Sequence, residues 1–437
     1  MKKHQALTCL LSLICLLCAQ LPFSALAEQA DFIDYVAQLD FNRASETVKT
    51  EATVKNFVDG DTVHFHVDEQ ICESGVLKAR FLAINTPEST GKIEEYGKKA
   101  SAFTRERLSR AESIWLESDN GKWNLDSTSE RHLVWVWYRL PGERAYRNLN
   151  LEILQNGLAI ANSTANNRYG TICMQALNQA RSFKLNLYSG QKDPDFYYGD
   201  AVELTLRELR TNVEAYNGIK VAFSGIITMN NNNAVYVESY DEETGLYYGM
   251  TVYYGFGLSG AGLNILSVGN EARIVGTVQY YETGGTWQVS GLTYRMMKPN
   301  DPGNIQKLSQ GHTPAFVPTD AETFVSRVSI DREDGVQVFD YAELVLGTSI
   351  EMKNLTVRQV YTTTDQDSSS RGAMTLHCDS DGITVHVRTV PLYGADGRLV
   401  TEDLLAGKVI DVRGIVDYFE GQYQVKVFTL GGITIHD

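Results

Sequence analysis

The chain has 437 residues, which is too long for one compact domain and predicts two to four domains. Its net charge at neutral pH is −15, and the acidic excess lies mainly in the second half: residues 28–198 contain 20 basic and 24 acidic side chains, whereas residues 199–437 contain 17 and 30. Because nonspecific affinity for nucleic acid comes largely from neutralised phosphates, this composition excludes the second half as a general DNA-binding platform.

The first 27 residues have the features of an export signal. A pair of lysines precedes an apolar run over residues 7–17, and Ala25 and Ala27 supply small side chains for cleavage. The run is too short for a membrane span, and no second candidate span follows. We therefore predict a signal peptide over residues 1–27 and a soluble protein that is secreted, to the extracellular space or a periplasm.

Three cysteines remain once the signal is removed. Cys72 and Cys173 fall in one predicted domain and are candidates for pairing, while Cys378 lies far downstream. An odd number, with no evidence that two Cα atoms are close, favours buried or free thiols.

A short polar leader over residues 28–47 precedes a series of short segments with the pattern of β-strands. An Asp-Gly turn separates the first two predicted strands. Apolar residues at i, i+4 and i+7 predict the first helix, and Asn148 is the predicted cap of the second. The predicted strands are 53–58, 62–67, 76–84, 114–117 and 133–138, and the predicted helices lie near 94–110, from 148 to 157, and at 171–184.

Short strands that close a small barrel, with helices inserted and appended, are typical of an OB-type architecture. For residues 48–198 we therefore predict a five-stranded barrel with three helices. The fold class expected for the whole chain is α+β, mainly β, because the remaining sequence is also rich in strand patterns.

The second half contains an internal repeat. In one copy Gly276 is followed by Val278, then by Tyr-Tyr-Glu at 280–282 and Trp-Gln-Val at 287–289. The other copy has the same order, with a turn that is two residues shorter before its last element: Gly414, Val416, Tyr-Phe-Glu at 418–420 and Tyr-Gln-Val at 423–425. Such a repeat predicts two copies of one module.

Both copies are rich in strands and Gly-containing turns, so we predict two small β-barrel, OB-like modules, at residues 199–298 and 320–437. Clustered prolines in a polar segment predict a linker at residues 299–319. The tyrosines and tryptophan of these modules have two interpretations, as surfaces that stack on bases or sugars and as ordinary barrel core.

A set of polar residues between positions 59 and 131 carries the functional signal. An Asp-Gly pair alone is a hairpin turn, Thr-Pro-Glu alone can start a helix, and an arginine in a strand is usually solvated. Together they supply carboxylates for a hard metal ion and for a base, and two guanidinium groups for a phosphate. That combination indicates phosphodiester hydrolysis, in which the water, the metal and the developing charge each need a partner.

The order and spacing of these motifs resemble the staphylococcal nuclease (thermonuclease) family over roughly residues 48–190. The sequence Tyr-Gly-Lys-Lys-Ala-Ser-Ala-Phe-Thr at 96–104 is similar to the first helix of that family, and Gln-Asn-Gly-Leu-Ala at 155–159 to the second. The resemblance implies an OB-type nuclease domain.

The resemblance also implies a Ca²⁺ site. Asp61 would be a direct ligand, and Thr86 would add its backbone carbonyl to the same ion. Asp59 would sit beside the site as a supporting carboxylate. Asn85 stands where the family has a second metal carboxylate, so an amide oxygen replaces one negative charge, and we expect weaker calcium binding.

Three further residues are implied in catalysis. Arg80 and Arg131 would hold the scissile phosphate and stabilise its transition-state charge with their fork-shaped donors. Glu88 would activate or orient the attacking water.

The chain departs from the family pattern at two other places. Ser129-Glu130 replaces the Tyr-Gly expected before Arg131, and Ser163 and Ala165 replace the two tyrosines that flank the nucleotide. Tyr169 lies nearby and is a candidate substitute for base stacking.

Two functions are therefore open. The first is a secreted, Ca²⁺-dependent nuclease that acts on DNA and RNA with little sequence specificity. The alternative is a catalytically weakened protein that uses a nuclease-like barrel to bind nucleic acid or a surface. In either case the tail modules are expected to bind a protein or a cell-surface component.

Overall fold

The computed structural model describes residues 31–128, 130–255, 258–282, 284–332, 335–365, 368, 370–419 and 421–436. The predicted signal peptide lies outside these residues, as do Ser129 before the second predicted phosphate-binding arginine and Glu420 of the repeat. Residues 35–437 form one compact unit by their contacts. Within the described residues, no helix is both long and apolar enough to cross a membrane.

The first part of the chain is a closed five-stranded barrel with three helices, as predicted. Its strands alternate buried and exposed side chains, which is the pattern of a sheet with one face on a core. The strands of this part of the chain, five of which form the barrel, are β1 (Lys49–Asp59), β2 (Thr62–His66), β3 (Val76–Phe81), β4 (Ile84–Asn85), β5 (Ser113–Glu117), β6 (Asn124–Leu125), β7 (His132–Arg139), β8 (Arg147–Asn148) and β9 (Ile160–Ala161). The helices are α1 (Gly97–Ser109), α2 (Leu149–Gln155) and α3 (Gly170–Ser182).

The second barrel is built from the residues after position 200. Its strands are β10 (Val202–Glu203), β11 (Lys220–Asn231), β12 (Ala234–Asp241), β13 (Leu246–Tyr253), β14 (Asn270–Tyr281), β15 (Thr286–Ser290) and β16 (Gln306–Gln310), with helices α4 (Leu206–Thr211) and α5 (Ala261–Ile265).

The third barrel completes the chain. Its strands are β17 (Val317–Pro318), β20 (Ser349–Thr362), β21 (Met374–Ser380), β22 (Ile383–Thr389), β23 (Val409–Phe419), β24 (Gln422–Val427) and β25 (Ile433–His436). Between β17 and β20 lie α6 (Ala321–Phe324), the hairpin of β18 (Arg327–Arg332) and β19 (Gly335–Asp340), and α7 (Tyr341–Leu344).

All three barrels close in the same order. In the first, β1, β2, β3, β7 and β5 form a ring that returns to β1, with β3 and β7 parallel. The rings of the second (β11, β12, β13, β15, β14) and third (β20, β21, β22, β24, β23) repeat this order, including the one parallel pair. The predicted fold class is therefore confirmed, and the nuclease-like barrel shares its strand order with both modules.

The second and third barrels are joined by buried polar contacts. Glu238 on β12 is fully buried, and its carboxylate accepts the backbone N–H groups of Ala315 (2.8 Å) and Ser349 (2.7 Å). Burial raises the pKa of this carboxyl, and the two N–H donors oppose that rise. The side chains of Ile330 and Phe339, from the β18–β19 hairpin, also pack into the core of the second barrel.

Candidate active site

The turn between β1 and β2 places two carboxylates at the end of the first barrel. Asp59 is 6% exposed and Asp61 is completely buried. A Cβ atom on Gly60 would come within 2.9 Å of both the Ala100 Cβ and the Thr86 Oγ1, so only glycine lets the turn pack this closely. The turn therefore lies against helix α1 and the loop that follows β4.

Asp61 is held by three donors. Its Oδ2 accepts the backbone N–H of Thr86 (2.8 Å), and its Oδ1 accepts the Thr62 hydroxyl (3.1 Å) and a guanidinium N–H of Arg80. Such charge-assisted bonds fix the orientation of a carboxylate that has no access to water.

Arg80 is the cation at the centre of the site. It lies on β3, and its two terminal nitrogens donate to Asp61 Oδ1 and to the amide oxygen of Asn85. Its side chain is only 12% exposed. The two oxygens therefore converge on one cationic group.

Glu88 lies on a tightly anchored loop between β4 and α1. Its carbonyl accepts the N–H of Glu94 (2.9 Å), whose carboxylate in turn accepts the Glu88 N–H (3.2 Å). The Tyr96 N–H donates to Asp193 at 2.6 Å. A Cβ atom on Gly97 would come within 2.1 Å of the Glu88 carbonyl oxygen, so glycine is required there. The loop thus has a defined path at Glu88, the residue expected to activate or orient the attacking water.

Asp61 and Glu88 both have raised pKa values, and Asp59 contributes to each rise. Burial, followed by the charge of Asp59, raises the pKa of Asp61 to about 7, against the lowering effect of Arg80. Burial also raises the pKa of Glu88 to about 7, and the charge and hydrogen bond of Asp59 add to the effect. Strongly shifted acids in one cluster are typical of functional sites.

The oxygen atoms of the site are of the chemical types that bind a hard cation. The Thr86 hydroxyl oxygen is buried without a hydrogen-bond partner, and the backbone N–H of the same residue donates to the Asp61 carboxylate. Carboxylate, amide and hydroxyl or carbonyl oxygens are the ligands that Ca²⁺ prefers. Among the described residues, however, no three His, Cys, Asp or Glu side chains are grouped to hold a metal ion. A calcium ion here would depend on the neutral oxygens of Asn85 and Thr86 as well as on Asp61.

Arg131 is placed differently from the other predicted residues. It directly precedes β7, which pairs with β3 so that Arg80 lies opposite Leu133. Its guanidinium forms an ion pair with Asp126 (2.6 and 2.7 Å), and its side chain is 33% exposed. Burial alone would raise the pKa of Asp126, but hydrogen bonds from Thr128 and Arg131 together lower it. The six other predicted residues are joined by contacts around Asp61. Arg131 is held at the neighbouring strand by its ion pair with Asp126.

Tyr169 does not occupy a base-stacking position. Its ring packs edge-on against Trp135 and Trp137, at centroid distances of 5.0 and 5.7 Å. Its hydroxyl donates to the buried carboxylate of Glu117 at 2.9 Å. The prediction that it substitutes for a nucleotide-flanking tyrosine is wrong, because the residue is part of the barrel's aromatic core.

The second barrel contacts the Glu88 loop, which the sequence analysis did not anticipate. Gln279 on β14 is 7% exposed, and its amide N–H donates to the carbonyl of Ser89 at 3.3 Å. Its own amide oxygen accepts the hydroxyl of buried Ser290. No local sequence signal marks Gln279, since the contact spans 190 residues.

A comparison with known families agrees with this geometry. Residues 78–190 match a family model described as "Staphylococcal nuclease homologue". The match covers the positions of Arg80, Asn85, Thr86, Glu88 and Arg131, and it begins after the Asp59–Asp61 turn. This region of the chain is therefore a staphylococcal-nuclease-like domain.

Proposed function

We propose that the chain is an exported, calcium-dependent nuclease that hydrolyses phosphodiester bonds of DNA and RNA with little sequence specificity. The observation that carries the proposal is the assembly of Asp61, Arg80 and Glu88 at one end of the barrel, where Arg80 and Glu88 belong to the region that matches the nuclease family and Asp61 precedes it. Export is proposed from residues 1–27 alone.

The residues have separable roles in this proposal. Asp61, Asn85 and Thr86 would hold the calcium ion, which would supply positive charge to the phosphate. Glu88, kept in place by its loop, would orient the water and take up its proton. Arg80 and Arg131 would donate to the phosphate oxygens and stabilise the charge that develops there. By the family resemblance, cleavage of the 5′ P–O bond would leave 3′-phosphate ends.

While it bridges Asp61 and Asn85, Arg80 uses one N–H of each terminal nitrogen within the protein, which leaves fewer of its donors for a phosphate. The same oxygens are proposed ligands for calcium, so the two cations compete for them. In the working enzyme Asp61 and Asn85 would hold the calcium ion in place of the guanidinium, and Arg80 would donate to the substrate. The loss of a negative charge at Asn85 makes this exchange harder, which is the observation that favours the alternative of a weakened, binding-only protein.

Digestion of plasmid DNA and of single-stranded DNA and RNA by the mature protein tests the proposal. We expect cleavage of all three in millimolar Ca²⁺ and none in excess chelator. Cleavage that persists in chelator would contradict the calcium requirement, and absence of cleavage at high calcium would favour the alternative.

Gln279 offers a test of the contact between the second barrel and the catalytic loop. Replacing Gln279 by methionine removes the donor to Ser89 while keeping the side chain's length. Since one hydrogen bond contributes about 1 kcal/mol, we expect the rate of cleavage to fall by roughly three- to tenfold with KM little changed.

A matched control is Gln424→Met, because Gln424 is equally buried (7% exposed) on β24, in the corresponding hairpin of the third barrel, and donates to Asp417 instead. Both variants should lose similar thermal stability. Equal effects of the two substitutions on cleavage would show that Gln279 acts only on stability.

A further inference from the structure

A cleft of about 600 Å³ lies between the second and third barrels. Two hairpins line it, β14–β15 from the second barrel and β23–β24 from the third, together with α4 and the β18–β19 hairpin. Its volume is within the range of small-ligand sites in proteins.

The aromatic residues of the repeat meet in this cleft. Tyr280 and Trp287 are directly opposite each other on β14 and β15, with ring centroids 5.0 Å apart. Tyr418 and Tyr423 occupy the corresponding positions on β23 and β24, also at 5.0 Å. Each barrel thus contributes one cross-strand aromatic pair to the same space.

The two pairs are brought together at Gly285. This residue has a φ of +65°, and a Cβ atom on it would lie 3.3 Å from the Tyr418 ring and 3.9 Å from the Tyr280 hydroxyl. The turn of one hairpin therefore sits against the aromatic pair of the other.

The aromatic pairs lie at the edge of the barrel interiors: Trp287 packs against the core of the second barrel, and Tyr418 and Tyr423 pack against the core of the third. The cores are packed with aliphatic side chains such as Val278 and Val289 in the second barrel and Val416 and Val425 in the third. Tyr280 remains 47% exposed, and the other three rings are partly exposed at the cleft. The repeat thus has, in both copies, an aromatic pair that lies at the edge of the core and is partly exposed in the cleft.

The charges of the cleft do not suit a phosphate backbone. Buried Arg210 donates to the carbonyls of Gly249 and Leu346, and Arg332 donates to the carbonyl of Thr211 (2.8 Å). These guanidinium groups are engaged within the protein, while the carboxylates of Glu214 and Glu343 line the same space. A polyanion would meet aromatic rings and carboxylates in a half of the chain that is strongly acidic.

We infer that this cleft binds a neutral oligosaccharide. The aromatic faces offer flat apolar surfaces for sugar rings, and the carboxylates, with the amide of Gln337, accept and donate hydrogen bonds to hydroxyl groups. Small barrels of this strand order bind oligosaccharides as well as oligonucleotides, and the charge of the cleft selects the former. The inference does not depend on the nuclease activity.

Titration of the full mature protein with neutral hexasaccharides of glucose, N-acetylglucosamine, xylose and mannose tests this site. Calorimetry of each titration gives the affinity. We expect at least one sugar to bind, and Tyr418→Ala to weaken that binding by about tenfold or more. Tyr393→Ala, which removes a 60%-exposed tyrosine of the third barrel outside the lining, should leave it unchanged.

Three results would overturn the inference. One is that none of the four sugars binds at millimolar concentration. Another is that Tyr418→Ala and Tyr393→Ala behave alike. The third is that an oligothymidylate, added in chelator, binds in place of the sugars and is lost in Tyr418→Ala, which would assign the cleft to nucleic acid. If Tyr418→Ala fails to fold, as judged by its melting curve, Tyr280→Ala at the more exposed ring takes its place.

Discussion

Replacing Arg80 by methionine abolishes cleavage and at the same time tightens calcium binding. Activity should fall by about 10²–10³-fold, which is the usual cost of removing one donor to a transition-state oxyanion. The calcium dissociation constant should fall by about tenfold, because the substitution frees the oxygens of Asp61 and Asn85 and leaves the buried carboxylate without its cation. Calcium titration by calorimetry and cleavage of a labelled DNA measure the two effects separately.

Arg131→Met is the matched control for this experiment. Its guanidinium pairs with Asp126 and not with the proposed calcium ligands, so the variant should lose activity without any gain in calcium affinity. Melting curves with and without calcium check the fold, and the Arg80→Met protein should be stabilised more by calcium than the wild type is. An unchanged or weaker calcium affinity in Arg80→Met would contradict the competition between the two cations.

Replacing Glu88 by glutamine lowers the cleavage rate by about 10²–10⁴-fold. The amide has the shape of the carboxylate and keeps a hydrogen-bonding group next to Asp59, but it cannot accept a proton from water. The loss should appear in kcat, since the backbone bonds that hold the loop are unaffected. Single-turnover cleavage of a labelled oligonucleotide gives the chemical step directly.

Glu95→Gln provides the control for charge on the same loop, because Glu95 is exposed and outside the acid cluster. It should cleave at close to the wild-type rate. Retention of more than about a tenth of the activity by Glu88→Gln would exclude Glu88 as the principal base or water-orienting group.

Much of the site could be predicted from the sequence because it is carried by a few rigid turns. The Asp-Gly-Asp turn joins β1 to β2, Arg80 lies opposite Thr62 on the adjacent strand β3, and β4 follows β3 after a short turn, so the polar residues of these segments lie close together. The prediction that these residues form one site comes from the resemblance to the nuclease family, and the structure brings Asp59, Asp61, Asn85, Thr86 and Glu88 together with Arg80. Their catalytic and metal-binding roles remain predictions until activity is measured.

The partners within the site could not be predicted in the same way. Sequence order does not reveal that Arg80 bridges Asp61 and Asn85, or that Arg131 is tied to Asp126, because both depend on side-chain directions. The prediction that Tyr169 stacks on a base was not met for a related reason. This tyrosine is near the expected place in the sequence, but its ring packs against Trp135 and Trp137 and its hydroxyl donates to the carboxylate of Glu117.

The fold of the tail was predictable as repeated barrels, since matched glycines and aromatics in one order indicate two copies of one module. What the pattern left open was the use of those aromatics, as core or as a stacking surface. Packing between the second and third barrels decides between these uses, through the close approach of Gly285 to Tyr418 and the hydrogen bond from the Ser349 N–H to Glu238. Contacts between elements more than a hundred residues apart leave no local periodicity to detect.

The most direct test of the central claim is the cleavage rate of the wild-type protein beside Asn85→Asp, both at saturating calcium. We predict that the wild type cleaves DNA in a calcium-dependent manner, and that Asn85→Asp lowers the calcium needed by about tenfold while changing the maximal rate little. A wild type that is inactive at any calcium concentration, together with an Asn85→Asp variant that cleaves, would contradict the account. It would show that this barrel has lost its chemistry and that the protein acts through binding.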